Sequence, residues 1–446
     1  MTSSTRNKAS VFEYEGIPSA GQLIPLGLQH VVAAVVGVIT PAIIIAGSEV
    51  CNLSADEKTL LIQASLLVTA LATLLQLFPI FHRIGARLPV VMGISFAYVP
   101  TLTAIGGQFG LPTILGAELI GGLVAVLFGI FVKPIRKLFP PLVTGTVIFT
   151  IGLSLYPTAV RYMAGGNASS PWFGGVRSWA VALLTFGVVV FLNNFTKGIW
   201  KLGALLFGMI VGYAVAFAVG IVDLSGVGNA AWFALPRFMP FKIEFVPSAI
   251  VSLAIVYVVN SVQTIGDLTS TTMGGMDRVP TDRELSGGII GQGIMSVIGA
   301  FFGGLPVASY SQNVGIVTVN KVINRAVFAF AAGVLLVAGF LPKFAALLTT
   351  IPQCVIGGAT LSVFATITMT GIRMITSEGK FTTRKSTVVG LSVALGVGIT
   401  QVPGCLAGNG FPEWVATVFG SSSVVVAALM AILLNLILPK DPPEGT

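Results

Sequence analysis

Runs of about 20 mainly apolar residues, each able to cross about 30 Å of hydrocarbon as a helix, recur along this whole sequence. Residues 59–79 (TLLIQASLLVTALATLLQLFP), 113–132 and 325–347 are examples. Fourteen hydrophobic segments emerge: 22–47, 59–79, 90–106, 113–132, 140–157, 179–195, 202–220, 247–267, 287–303, 306–320, 325–347, 352–374, 386–400 and 414–438. Only 9% of the 446 residues are charged, against about 25% in a soluble protein. A soluble domain built this way would have to hide almost all of its surface. The expectation is an all-α polytopic membrane protein of 14 transmembrane segments; the strict alternation of a membrane β-barrel is absent.

The polar parts set orientation. When the 24 lysines and arginines are sorted by alternating sides of 14 spans, 18 fall on the side holding both termini and six on the other. The first group includes Arg6, Lys8, Arg136, Lys137 and Lys440. The positive-inside rule then places both termini in the cytoplasm of an inner-membrane protein. The net charge of +8 is accounted for by topology, and no nucleic-acid partner is needed. The first 20 residues are polar and of mixed charge, so no cleavable signal peptide is expected. Cys51, Cys354 and Cys405 are too few and scattered for a disulfide framework. With only His30 and His82, no metal-ligand spacing, no nucleophile elbow and no phosphate loop, neither an enzyme nor a cofactor is expected.

The chain also echoes itself. "LPVVMGISF" (88–96) and "LPVASYSQN" (305–313) share Leu-Pro-Val at an offset of 217 residues, and "PPLVTG" (140–145) and "PQCVIG" (352–357) share a pattern at an offset of 212. Both offsets are near half the chain. They relate segment 3 to 10 and 5 to 12, and an offset of seven spans inverts one copy relative to the other. Such inverted repeats are a mark of secondary transporters. Proline removes a backbone donor and disfavours helix before it, so Pro89–Ser95 and Pro306–Ser311 are expected to be extended, each leading into a half-helix. Irregular backbone survives at membrane depth only where protein buries it or a cavity adjoins it. A pair of such breaks points to a binding site near the midplane.

Polar side chains within the spans are few. They include His30 in segment 1, Asn260, Gln263 and Asp267 in segment 8, Gln292 in segment 9, and Gln312 and Asn313 after the second break. Gln263 and Asp267 are spaced i, i+4 on one helical face, with Asp267 ending its segment or entering a proton path. The amides of Gln312 and Asn313 can donate and accept side by side toward a planar ligand, or cap the half-helix and hold it to a neighbour. An anion carrier would place a cationic side chain within the breaks. Arg87 and Lys321 only flank them.

At "SQNVGIVTVNK" the sequence resembles the nucleobase–ascorbate transporters, also called nucleobase:cation symporter-2. The likeness extends to "QHVVAAVVGVITPAIIIAG", "TIGDLTSTTM", "GGLPVASYSQNVGIV" and "TTIPQCVIGGATLSVFATITMTGIRMI". Gln-Asn at the motif is similar to the xanthine and uric acid permeases; uracil permeases usually carry Glu there. The resemblance implies two inverted seven-span repeats. These divide into core (22–132 and 221–347) and gate (133–220 and 348–438) domains, with terminal segments 1–21 and 439–446. It implies homodimers through the gate domain and a purine nucleobase substrate, with a proton or sodium ion as candidate coupling ion. Carried over by residue, the substrate site comprises Gln263, Gln312, Asn313, Ser95 and Phe96, while His30, Asp267 and Gln292 serve coupling or structure. This chain departs from the family where it carries Gln263 and Gln292 in place of acids. Glutamine can pair with a purine but cannot titrate near neutral pH, which puts the usual proton route in question. Asp267 and His30 remain for coupling, and uncoupled facilitation stays open. The alternatives are a uracil or other nucleobase permease, an anion transporter on the same scaffold, or a membrane scaffold without transport.

Overall fold

The computed structural model describes residues 10–135, 138–168, 172–377, 379–402, 404–408, 410–420 and 422–439. Arg6, Lys8, Arg136, Lys137 and Lys440 lie outside the described residues, as do 1–9 and 440–446 of the terminal segments. The first half of the chain contains α1 (Ala20–Ala46), α2 (Ala55–Leu77), strand β1 (Met92–Ile94), α3 (Val99–Phe109), α4 (Leu111–Ile130), α5 (Val132–Ile135), α6 (Pro141–Met163), α7 (Val176–Phe195), α8 (Ile199–Leu202) and α9 (Ala204–Ala218). After α10 (Ser225–Asn229) come α11 (Pro247–Met276), α12 (Asp282–Phe301), strand β2 (Val307–Ser309), α13 (Ser311–Asn320), α14 (Arg325–Gly339), α15 (Pro342–Thr349), α16 (Gln353–Thr376), α17 (Thr383–Gln401), α18 (Glu413–Phe419) and α19 (Ser423–Ile437). Among the described residues eight helices are long and apolar enough to cross a membrane, or nine if α14 and α15 count as one bent span.

Three segments differ from the sequence expectation. Segment 11 is not one rod: its helices meet at 82°, because Pro342 cannot donate into the preceding turn. Segment 14 is divided into α18 and α19 around Gly420. Segment 8 does not stop at Asp267; α11 runs on to Met276 and ends at Asp277 in the left-handed conformation (φ 51°). Asp267 therefore lies nine residues inside the helix. It is not a helix terminus.

The two Leu-Pro-Val breaks behave as their prolines require, and they meet. β1 and β2 form an antiparallel two-stranded sheet with Met92 opposite Ser309, Gly93 opposite Ala308 and Ile94 opposite Val307. All six residues are buried. Water is not available there to satisfy free N–H and C=O groups, so each break supplies the other's partners. Side chains complete the set: Met92 N–H donates to Thr73 Oγ1 (3.0 Å) and Val307 N–H to Ser296 Oγ (3.3 Å).

Close helix contacts hold two groups of elements together. Gly122 of α4 faces Gly293 of α12, and a Cβ on either would stand 2.8 or 2.5 Å from the other's carbonyl oxygen. Small residues let helix backbones approach in this way within a membrane. In the second group, a Cβ on Gly145 of α6 would stand 2.9 Å from the Gly371 carbonyl oxygen of α16. Capping boxes start α2 (Ser54 with Glu57) and α12 (Thr281 with Glu284), satisfying donors that the first turn of a helix leaves free.

Candidate functional site

The helix that follows each strand begins beside a cavity of about 320 Å³. Its wall takes Ser95, Phe96 and Ala97 from the first break, and Ser309, Tyr310, Ser311, Gln312 and Gly315 from the second. Gln263 of α11 lies on the same wall. The opposite side is built from Ile148 and Ile151 of α6 and from Thr366, Ile367, Thr370 and Arg373 of α16. The start of α13 has no side-chain cap. Helix starts present N–H groups and a partial positive charge, and both favour polar or anionic ligand atoms.

Four of the five sequence-nominated binding residues line this space: Gln263, Gln312, Ser95 and Phe96. Gln263 Nε2 donates to Ser311 Oγ (3.4 Å), a long contact that a ligand can replace, and Gln312 is exposed to the opening. Phe96 is fixed edge-on against Phe364 (centroids 5.3 Å apart, 75°). A flat ring could stack on it. Asn313 is elsewhere. It is buried, and its Nδ2 donates to the backbone carbonyl of His30 (3.4 Å). It thus ties α13 to α1, the holding role that its position also allowed.

The three remaining nominees form the support behind the wall. Asp267 is buried and accepts from Ser309 Oγ (2.6 Å) and from Ser311 Oγ (2.9 and 3.0 Å). One carboxyl thereby fixes both the end of β2 and the start of α13. Gln292 is fully buried: it accepts from Thr264 Oγ1 (2.7 Å) and donates to Asn260 Oδ1 (2.8 Å) and the Tyr98 hydroxyl (3.4 Å). Asn260 Nδ2 in turn donates to Ser95 Oγ (3.4 Å). His30 is buried against Phe328 (ring centroids 4.4 Å).

Two charged residues escaped the sequence reasoning. Arg373, counted there only as a topology signal, reaches the cavity. Its signal was the i, i+4, i+7 face of Thr366, Thr370 and Arg373. Glu118 lies in the middle of α4, fully buried; a lone acid inside an apolar run was the clue. Among the described residues no group of His, Cys, Asp or Glu is arranged to hold a metal ion.

Comparison with known proteins places this architecture. A sequence model described as a permease family (Xan_ur_permease) matches residues 21–405. The chain belongs to this family, the nucleobase–ascorbate transporters. It is 35% identical over 437 residues to the uric acid permease PucK of Bacillus subtilis, covering 96% of this chain and 98% of that one. It is 31% identical to the xanthine permease of Bacillus subtilis (94% of each chain). It is 28% identical to the xanthine permease XanQ of Escherichia coli K12 (96% of this chain, 94% of that one). The fold is shared more widely. The transmembrane domain of the cyanobacterial bicarbonate transporter BicA superposes with a TM-score of 0.57 at 16% identity, covering 92% of this chain and 98% of that one. Murine Slc26a9 in the inward-facing state gives a TM-score of 0.63 at 12% identity, covering 95% and 69%. The protein is a multi-pass membrane permease and not an enzyme.

Proposed function

We propose that this permease carries a purine nucleobase, xanthine or uric acid, across the cytoplasmic membrane by alternating access. The observation that carries the reading is the shared cavity of Gln263, Gln312 and Phe96 at the start of two half-helices. A purine needs two things that this wall offers: side-chain amides for its edge and an aromatic ring for its face. Ser95 supports the site through Asn260, and Asn313 holds α13 from behind.

The helix packing supports 14 spans in two inverted repeats. If α3 with β1 and α13 with β2 are spans 3 and 10, the pairs α4–α12 and α2–α14 exchange under a seven-span shift. So do α7–α9 and α17–α19, and α4–α11 and α1–α14. The α6–α16 pair and the β1–β2 sheet map onto themselves. Spans 1–4 and 8–11 form the core and spans 5–7 and 12–14 the gate. The cavity lies between them, and the termini are cytoplasmic. A homodimer through the gate domain completes the reading; the exposed faces of α7, with Leu183, Leu184 and Phe191, are compatible with it.

Uptake of radiolabelled xanthine and uric acid tests the site. Gln263→Ala and Gln312→Ala should each raise the apparent KM, and unchanged uptake in both would end the assignment. Arg373 favours a second reading, an anionic substrate. Purines should compete for uptake and sulfate should not. The reverse result would select the anion carrier.

A further inference from the structure

Gln263 on the cavity wall and Gln292 behind it cannot titrate near neutral pH, which leaves open where a coupled proton would bind. One carboxyl of this chain has no assigned task. Glu118 is fully buried in α4, and among the described residues neither of its carboxyl oxygens has a hydrogen-bond partner. A charged carboxylate in such surroundings lacks the pairing that burial of an ion requires. The neutral acid is the form the site accepts as it stands.

The surroundings connect it to the binding wall. Gly121, three residues on, lies against the Tyr257 ring: a Cβ there would stand 2.5 Å from Cε2. Tyr257 in turn packs against Tyr98 (ring centroids 4.8 Å). From Tyr98 a continuous hydrogen-bonded set runs through Asn260, Gln292, Thr264 and Ser309 to Asp267 (3.1, 2.8, 2.7, 3.4 and 2.6 Å in order). Ser311 joins Asp267 to Gln263 at the cavity. Among the described residues the titratable groups packed nearest this turn of α4 are Tyr257 of α11, against Gly121, and Tyr98, which leads into α3 and lies against Tyr257. α12 meets α4 at Gly122 through the uncharged Gly293 and Val297. Glu244, near the start of α4, is exposed, and Lys133 beyond its end is paired with Asp282 (2.8 Å).

We propose that Glu118 is a proton-binding site of this permease, a task that the amides of Gln263 and Gln292 cannot perform. Its carboxyl takes up one proton from the outer side and remains neutral and buried while the core moves. It releases the proton together with the base on the inner side, and the core returns without either, so that one proton enters with each base. The ligand is the proton itself, and the proposal rests on the nucleobase-transport reading.

The test uses purified full-length protein in liposomes. For one proton per base, an inward gradient of one pH unit supports about tenfold accumulation of labelled xanthine or uric acid. Glu118→Gln preserves the shape of the neutral acid. It should keep base-for-base exchange within about twofold of wild type and lose the tenfold accumulation, while Glu118→Asp retains part of it. Infrared spectra should show a protonated-carboxyl band in wild type that Glu118→Gln removes. Full accumulation by Glu118→Gln, or wild-type accumulation indifferent to the gradient, overturns the proposal. If wild type exchanges no nucleobase, the transport reading fails. The infrared band then decides separately whether Glu118 holds a proton, and an unchanged band in Glu118→Gln refutes it. A Glu118→Gln protein that does not fold also counts against a neutral Glu118, because the substitution should be close to isosteric.

Discussion

Asp267→Asn is the most informative single change at the base of the cavity. The carboxyl receives Ser309 Oγ at 2.6 Å and Ser311 Oγ at 2.9 and 3.0 Å. Asparagine keeps one acceptor oxygen and turns the other into an NH₂ that opposes a hydroxyl. A hydrogen bond to a charged acceptor contributes about 1.5–3 kcal/mol. Ser309 has a second acceptor in Thr264 Oγ1 at 3.4 Å, and Ser311 is exposed enough to turn to water. The expected net loss is therefore near one such bond, about 2 kcal/mol. Because the lost bonds fix the first turn of α13, which carries Gln312, the cost should reach substrate affinity. Xanthine KM should rise about 30-fold if the whole of it is expressed there. Thermal unfolding in detergent should shift by about 2–4 °C, since a given loss moves a long chain's midpoint less than a short one's. Ser309→Ala with Ser311→Ala should add nothing in the Asp267→Asn background, because groups that share one interaction are not additive. Wild-type KM and stability in Asp267→Asn, or additive serine effects, would refute the assigned role.

Other expectations follow from the same geometry. Gly37→Ala places a Cβ into the Tyr310 hydroxyl and 2.6 Å from its Cε2; overpacking of this kind costs about 1–3 kcal/mol, seen as a lower unfolding midpoint that Tyr310→Leu should partly restore. Phe96→Ala removes the aromatic face of the cavity and the edge contact with Phe364, so affinity should fall by about 0.5–1.5 kcal/mol in an equilibrium binding assay while exchange persists. Arg373→Ala should weaken uric acid, ionised at neutral pH, by about tenfold and xanthine less in competition uptake, since the guanidinium is exposed. Equal effects on both bases would remove Arg373 from the substrate's path.

The breaks were legible because proline acts locally: Pro89 and Pro306 forbid a continuous helix whatever packs against them. Their partnership was not, because pairing Met92 with Ser309 depends on contacts across more than 200 residues. The same distinction separates Gln263, which shares a helical face with Asp267 by spacing alone, from Gln292. The bonds of Gln292 to Tyr98 and Asn260 exist only in three dimensions. Hydrophobicity fades after Asp267, so the sequence left a helix end and a proton path both open there. The helix continues because Thr271 and Thr272 return their hydroxyls to carbonyls one turn back (2.9 and 3.0 Å), a pattern that spares polar residues from needing outside partners. Arg373 was absorbed into the charge count, which records side and says nothing of depth.

The arrangement of close contacts predicts which parts move. Glycine contacts lock α4 to α12 and α6 to α16, so neither pair can slide without overlap. The cavity runs between α13 and α16, where both walls carry side chains facing open space. Motion should therefore be confined to that seam. With Cys51, Cys354 and Cys405 replaced by serine or alanine, cysteines at Gly315 and Thr370 on opposite walls can be joined by a flexible thiol cross-linker. Uptake should then stop and return on cleavage of the linker. Joining α6 to α16 through cysteines at Tyr156 and Thr368, whose side chains already meet (2.7 Å), should leave uptake near the level of the unlinked protein. If the first link is harmless and the second blocks transport, the moving boundary lies inside the α6–α16 pair and the division into core and gate is wrong.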